Sequence, residues 1–196
     1  MKLGENEKAL ADYDAAIRLG YEDVTLYVNR GNARQDRNEM EAAIEDYSAA
    51  IRLDPTSSGA YHFCASLWDD LGEYDKAIED YSSAIVHSPD DARLFNNRGS
   101  AWHSKDEFDK AIADYSEAIR LDPAHYKAYN NRGFAWKDLK QYDKAIADYT
   151  QAIKINPNYA IAYDNRATAW YGIGNAEEAT ADLAKLKALR EAPSDP

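Results

Sequence analysis

Four asparagines, Asn29, Asn97, Asn131 and Asn165, each stand directly before an arginine, Arg30, Arg98, Arg132 and Arg166, and each series steps by 34 residues or twice that. A carboxamide donates and accepts hydrogen bonds at once, so a row of them is suited to gripping the C=O and N–H groups of an extended segment whatever its side chains. Asn96 and Asn130 precede two members of the row and extend it. Asparagine in a helix costs up to about 0.7 kcal/mol relative to alanine, so its repetition calls for an offsetting role. Inheritance by duplication of a neutral residue is the alternative, and residue types alone leave both open. The arginines have carboxylates to match: Asp12, Asp46, Asp80, Asp114, Asp148 and Asp182 keep the same 34-residue step. The expectation is a structural ladder that pairs Arg30, Arg98, Arg132 and Arg166 with Asp46, Asp80, Asp114 and Asp148. A row of ligand-binding arginines is the competing reading. The Gly or Ala following each arginine belongs to a packed face, which favours the ladder.

Other reactive side chains lack the spacing that chemistry requires. Trp68, Trp102, Trp136 and Trp170 share the 34-residue step and resemble a stacking platform, but aromatics at helical spacing beside other apolar positions belong to a core. His62, His87, His103 and His125 share no metal-ligand spacing. Neither a Gly-rich phosphate loop, a calcium loop nor a Cys pair occurs. No catalytic residue, metal or cofactor is expected, and the chain reads as a non-enzyme.

The formal net charge is -12 over 196 residues, which argues against a nucleic-acid binder, because phosphate affinity needs a clustered positive surface. An RNA-reading helical repeat is therefore the weakest alternative. The single Cys64 excludes an internal disulfide. With no membrane-length apolar run and no apolar core in "MKLGENEKAL", neither a membrane partner nor a signal peptide is expected, and a cytoplasmic location is favoured.

The elements that must position these residues follow from the period. Units beginning at Val24, Ser58, Ala92, Tyr126 and Ala160 succeed one another without insertion, which is the mark of stacked supersecondary modules. In the fourth, Tyr129, Ala135, Trp136 and Leu139 fall at helical spacing, as do Tyr142, Ala145, Ile146, Tyr149, Ala152 and Ile153. Each unit is a helical hairpin, with a short turn marked by Gly72, Asp106 or Gly174. Its second helix ends at sequences such as "IRLDP", where the residue before proline is pushed out of helical geometry.

The unit resembles a tetratricopeptide repeat. The fourth copy supplies Tyr129, Gly133, Trp136, Ala145, Tyr149, Ala152 and Pro157 at that family's pattern positions, and the third supplies Phe95, Gly99, Trp102, Ala111, Tyr115, Ala118 and Pro123. The resemblance implies an all-α, right-handed superhelical solenoid of antiparallel helical hairpins, five and a half repeats of 34 residues. The reading divides a single solenoid into a half repeat at 1–23, repeats at 24–57, 58–91, 92–125 and 126–159, a last repeat with a capping helix at 160–190, and a tail at 191–196. Residues 2–20 match the second half of a unit, so the chain is read as starting mid-repeat. Leu10, Tyr13 and Ile17 then form an apolar face, and homo-oligomer formation through residues 1–20 is an alternative function.

Membership would imply a protein-interaction scaffold that holds a partner protein or peptide in a groove lined by first helices. The carboxylate clamp found in some members is incomplete here. The corresponding residues are Val28, Asn32, Phe63, Arg93 and Asn97 from the first unit, or His62, Ser66, Asn97, Lys127 and Asn131 from the second. Arg93, Lys127 and Lys137 make units three and four the most positive part of the groove. By helix, the first helices sum to +5 and the rest of the chain to -17, giving a near-neutral groove and an acidic outer surface.

Overall fold

The computed structural model describes residues 3–191, so all but the first residue of the expected tail lies outside it. The described residues form eleven α-helices and no strand. They divide into two compact units, Met1–Asp90 and Asp91–Pro196. The first contains α1 (Leu3–Arg18), α2 (Val24–Gln35), α3 (Met40–Leu53), α4 (Ser58–Asp70) and α5 (Tyr74–His87). The second contains α6 (Ala92–Ser104), α7 (Phe108–Leu121), α8 (Tyr126–Asp138), α9 (Tyr142–Ile155), α10 (Ala160–Gly172) and α11 (Ala176–Glu191). Pairs α2/α3, α4/α5, α6/α7, α8/α9 and α10/α11 are the tightest contacts, and each is one hairpin.

The periodic residues make these elements for identifiable reasons. At the turn inside each hairpin one residue adopts positive φ: Asn38, Gly72, Asp106, Lys140 and Gly174. That conformation lets the next N–H reach back five residues, as from Gln141 to the Trp136 carbonyl at 2.8 Å and from Asn175 to that of Trp170 at 2.9 Å. Carbonyls left open at the helix end are satisfied in this way. At the ends of α3, α7 and α9 the residue preceding proline is extended: Asp54, Asp122 and Asn156 have φ of -135°, -130° and -127°. Asp23 caps α2 by accepting from the N–H groups of Thr25 and Leu26 at 2.8 and 3.2 Å.

Inside a hairpin the two helices approach until a tyrosine ring lies on bare backbone. A β-carbon at Gly133 would stand 2.8 Å from Cε1 of Tyr149, and one at Gly99 would stand 2.8 Å from Cε1 of Tyr115. Tyr47, Tyr81, Tyr115 and Tyr149 are all buried, as are the alanines on either side of them in their helices. The tryptophans pack at the margin of these clusters. One ring face carries a lysine: Nζ of Lys76, Lys110 and Lys144 lies 4.2, 4.4 and 4.2 Å from the ring centroids of Trp68, Trp102 and Trp136. Such contacts contribute roughly 0.5–1 kcal/mol each at exposed sites. With one face on the core and the other under a lysine, these rings offer no open stacking surface.

Candidate functional site

In the second unit the first helices touch one another directly, α6 against α8 and α8 against α10, while α7 and α9 do not pack to a comparable extent. The stack therefore bends toward the side of the first helices, and the asparagines meet there. Asn165 Nδ2 donates to Asn130 Oδ1 at 3.0 Å, and Asn130 Nδ2 donates to Asn131 Oδ1 at 3.4 Å. Asn131 Nδ2 continues to Asn96 Oδ1 at 3.1 Å, and Asn96 Nδ2 ends the chain on Asn97 Oδ1 at 3.2 Å. Five carboxamides thus form one head-to-tail relay across three helices. Asn96 and Asn130 are buried, 8% and 4% exposed, and an unpaired amide there would cost about 1–3 kcal/mol. Their bonds to Asn131 and Asn165 remove that penalty. Asn97, Asn131 and Asn165 are half-buried. Because Asn131 uses one of two N–H groups and one of two acceptor positions in the relay, it keeps capacity for a ligand.

Other residues singled out by spacing lie in different surroundings. Asn29 is exposed and makes no side-chain hydrogen bond among the described residues; Val28 precedes it where Asn96 and Asn130 precede Asn97 and Asn131. Arg93 is 73% exposed at its side chain and bound to Asp91 at 2.7 Å. Lys127 is exposed. Lys137 lies over the Phe134 ring, 3.6 Å from its centroid, and 3.3 Å from Asp138.

The four repeated arginines are engaged by carboxylates of the second helices. Arg132 donates from Nε and Nη2 to the two oxygens of Asp148 at 2.8 and 2.7 Å, and from Nη1 to Ser116 Oγ at 3.0 Å. Arg166 does the same with Asp182 and with Thr150 Oγ1. Arg98 holds both oxygens of Asp114, and Arg30 holds Asp46 and, through Nη1, Asp14. Hydrogen bonding to Asp148 keeps the Arg132 pKa above its ordinary value despite burial. Each guanidinium also lies 5.6–5.8 Å from the ring centroid of an aromatic three residues earlier, as Arg132 does over Tyr129 at 5.8 Å.

Asp80 departs from the expected ladder. Its counterpart is Cys64, and no arginine or lysine pairs with it among the described residues. Burial raises the Asp80 pKa, opposed by hydrogen bonds with Cys64 and Trp68. Burial likewise pushes the Cys64 thiol up to about 12, with the Asp80 charge adding to it. A thiol held protonated in this way is a packed, unreactive group.

Two features of this wall carry no 34-residue signature. His103 Nε2 lies 2.9 Å from Asp138 Oδ2, tying α6 to α8, and its ring sits between Phe108 and Phe134 at centroid distances of 5.2 and 5.1 Å. Beside it a pocket of about 170 Å³ is lined by Ser100, His103, Ser104, Tyr115, Asn131 and Phe134. The charge is also divided unequally along the chain. Residues 1–90 carry eight Lys and Arg against nineteen Asp and Glu, net -11, while residues 91–196 carry fifteen against sixteen, net -1. The asparagine wall thus belongs to a nearly neutral unit. Among the described residues no three His, Cys, Asp or Glu side chains gather as a metal-binding group, and no helix is long and apolar enough to cross a membrane.

Solved structures share this architecture. A crystal structure of MamA aligns with a TM-score of 0.77 at 27% identity, covering 82% of this chain and 94% of that one. YrrB, described as a TPR protein with an unusual peptide-binding site, aligns with a TM-score of 0.72 at 22% identity over 92% of this chain and 93% of that one. A tetratricopeptide repeat protein from Parabacteroides merdae ATCC 43184 gives a TM-score of 0.83 at 22% identity, over 98% of this chain and 75% of that one. The two likenesses at 22% bear on the fold alone. No curated protein matches the sequence. Two family models, both of the tetratricopeptide repeat, match residues 126–159 and residues 1–58 with 69–126. With most of its length matched in this way, the chain is a member of the tetratricopeptide repeat family.

Proposed function

We propose that this chain is a non-catalytic interaction scaffold whose second unit holds a partner peptide against the first-helix wall of α6, α8 and α10. The observation that carries the reading is the five-asparagine relay. It fixes the carboxamides in place before any ligand arrives, so less side-chain entropy is lost on binding. Asn97, Asn131 and Asn165 provide the contacts to the peptide backbone, Asn96 and Asn130 hold them from beneath, and Lys127 and Lys137 flank the row. The peptide-binding description of YrrB is consistent with this use of the fold. A few neutral hydrogen bonds, each about 0.5–1.5 kcal/mol, leave an affinity of micromolar order after association costs. A peptide array probed with the parent chain and with Asn97→Ala plus Asn131→Ala tests it. The variant is expected to lose most bound peptides while keeping its helical circular dichroism; identical patterns would reduce the asparagines to structural parts inherited by duplication.

Self-association through residues 1–20 is a second reading. Leu10, Tyr13 and Ile17 are only half-buried, and Leu19 and Tyr21 just beyond them are 77% and 66% exposed. Sedimentation over a range of concentrations checks it, and a strict monomer throughout would remove it.

A further inference from the structure

We propose that the pocket between α6 and α8 is a subsite for a neutral carboxamide side chain, glutamine or asparagine, presented by the partner segment. The inference rests on the peptide-wall reading and adds what that wall selects.

The hydrogen-bonding inventory of the pocket is mixed. Ser100 donates its hydroxyl proton to the Asn96 carbonyl at 3.1 Å and accepts from the Tyr115 hydroxyl at 3.3 Å. Of the lining groups, the Ser104 hydroxyl makes no hydrogen bond among the described residues, and Asn131 has one N–H outside the relay. These are the donors. The acceptors are the second lone pair of Asn131 Oδ1 and, in the neutral imidazole that donates from Nε2 to the Asp138 carboxylate, the His103 ring Nδ1. Phe134 supplies an apolar wall against which methylene groups can pack.

Charge narrows the choice. Among the described residues no charged side chain lines the pocket; Lys137, beside it, lies over Phe134 and against Asp138, and Asp138 is shared by Lys137 and His103. A ligand carboxylate or ammonium would shed its water without gaining a free countercharge, which is costly. An aliphatic side chain would cover Ser104 and Asn131 and leave their donors unpaired. A primary carboxamide is the side chain that matches donors with acceptors and acceptors with donors while leaving the charge balance unchanged. The near-zero charge of residues 91–196 suits the same ligand.

Titrating the full chain, followed by proton–nitrogen NMR, with the N-acetyl amides of glutamine, glutamate, lysine and leucine is the test. The glutamine compound is expected to shift the backbone resonances of His103, Ser104 and Phe134 and the side-chain amide of Asn131, and to bind more tightly than the other three. Ser104→Ala should weaken it by about threefold to tenfold, the loss of one neutral hydrogen bond, with the rest of the spectrum unchanged. An equal response to leucine or glutamate, no response at all, or indifference to Ser104→Ala would overturn the subsite. A failed peptide array beside a selective titration would instead remove the peptide-wall reading and leave the pocket.

Discussion

Asp80 shares hydrogen bonds with the Cys64 thiol and the Trp68 indole, at the place where Asp148 receives Nε and Nη2 of Arg132 at 2.8 and 2.7 Å. The same substitution should therefore have opposite consequences in two repeats. Asp148 is 6% exposed, and Asp148→Asn removes the countercharge of a half-buried guanidinium at a cost of about 3 kcal/mol, the low end for a buried pair. Asp80→Asn removes a desolvated charge that has no countercharge among the described residues, so stability at pH 7 should hold or rise. The sign follows from the raised pKa. Such a carboxyl contributes stability below the unfolded value of about 3.9 and loses it as pH climbs through the folded value. The gap between Asp80→Asn and the parent should thus be widest at neutral pH and close on acidification, as urea unfolding at several pH values will read.

Repeat two keeps the residue types that surround the arginine in other repeats. Arg132 uses Asp148, Ser116 and the Tyr129 ring; the residues at the same spacings around Cys64 are Asp80, Ser48 and Tyr61. Cys64→Arg is expected to stabilise the chain by about 1 kcal/mol at pH 7, a charge-assisted bond offset by the displaced contacts of Trp68. Carbon-detected titration should show the Asp80 carboxyl pKa falling. Lower stability would mean that the neighbouring side chains have closed over the site.

Close backbone approach sets a third expectation. At Gly133 an added β-carbon meets Tyr149 Cε1 at 2.8 Å and the Ala145 carbonyl oxygen at 3.2 Å. Gly133→Val should cost about 1–3 kcal/mol through overpacking. Gly133→Ala should cost less, because alanine regains up to about 1 kcal/mol of helix propensity and because repeat two carries Ala65 at this place. Thermal unfolding of the pair gives the order.

Lys140 holds φ at +59° in a turn where repeats two and five use Gly72 and Gly174. A left-handed lysine costs roughly 1–2 kcal/mol, and glycine returns part of that gain as extra freedom in the unfolded chain. Lys140→Gly should raise stability by about 0.5 kcal/mol, and Gly174→Lys should lower it by about 1 kcal/mol. Chemical denaturation of the two variants checks both signs.

Periodicity made Arg132, Asp148, Gly133 and Tyr149 legible, because each repeats with a constant role and packs against a residue sixteen positions away. The relay was visible only as a row. Comparing like positions at 34-residue steps aligns Asn97 with Asn131, whereas the bonds join Asn96 to Asn131 and Asn130 to Asn165, 35 apart. His103 and Asp138 are also 35 apart. Those contacts arise from how one first helix leans on the next, which a single-helix pattern does not encode. The burial of Asn96 and Asn130 follows from the same lean. Asp80 was placed in the ladder on spacing alone, although Cys64 sixteen residues upstream already lacked the cation. Grouping charges by helix likewise concealed their division between residues 1–90 and 91–196, which a count along the chain reveals.

Arg132 and Arg166 each bind sixteen residues forward and sixteen residues back, to Asp148 with Ser116 and to Asp182 with Thr150. Each therefore spans neighbouring modules as well as its own, so α7 through α11 should open as one cooperative block, with slow and uniform amide exchange. Cys64 meets Asp80 and Ser48 with an uncharged thiol, so its links forward and back are weaker than those of an arginine. Deuterium should enter α4 and α5 earlier than α8 and α9, through excursions that leave the later modules closed.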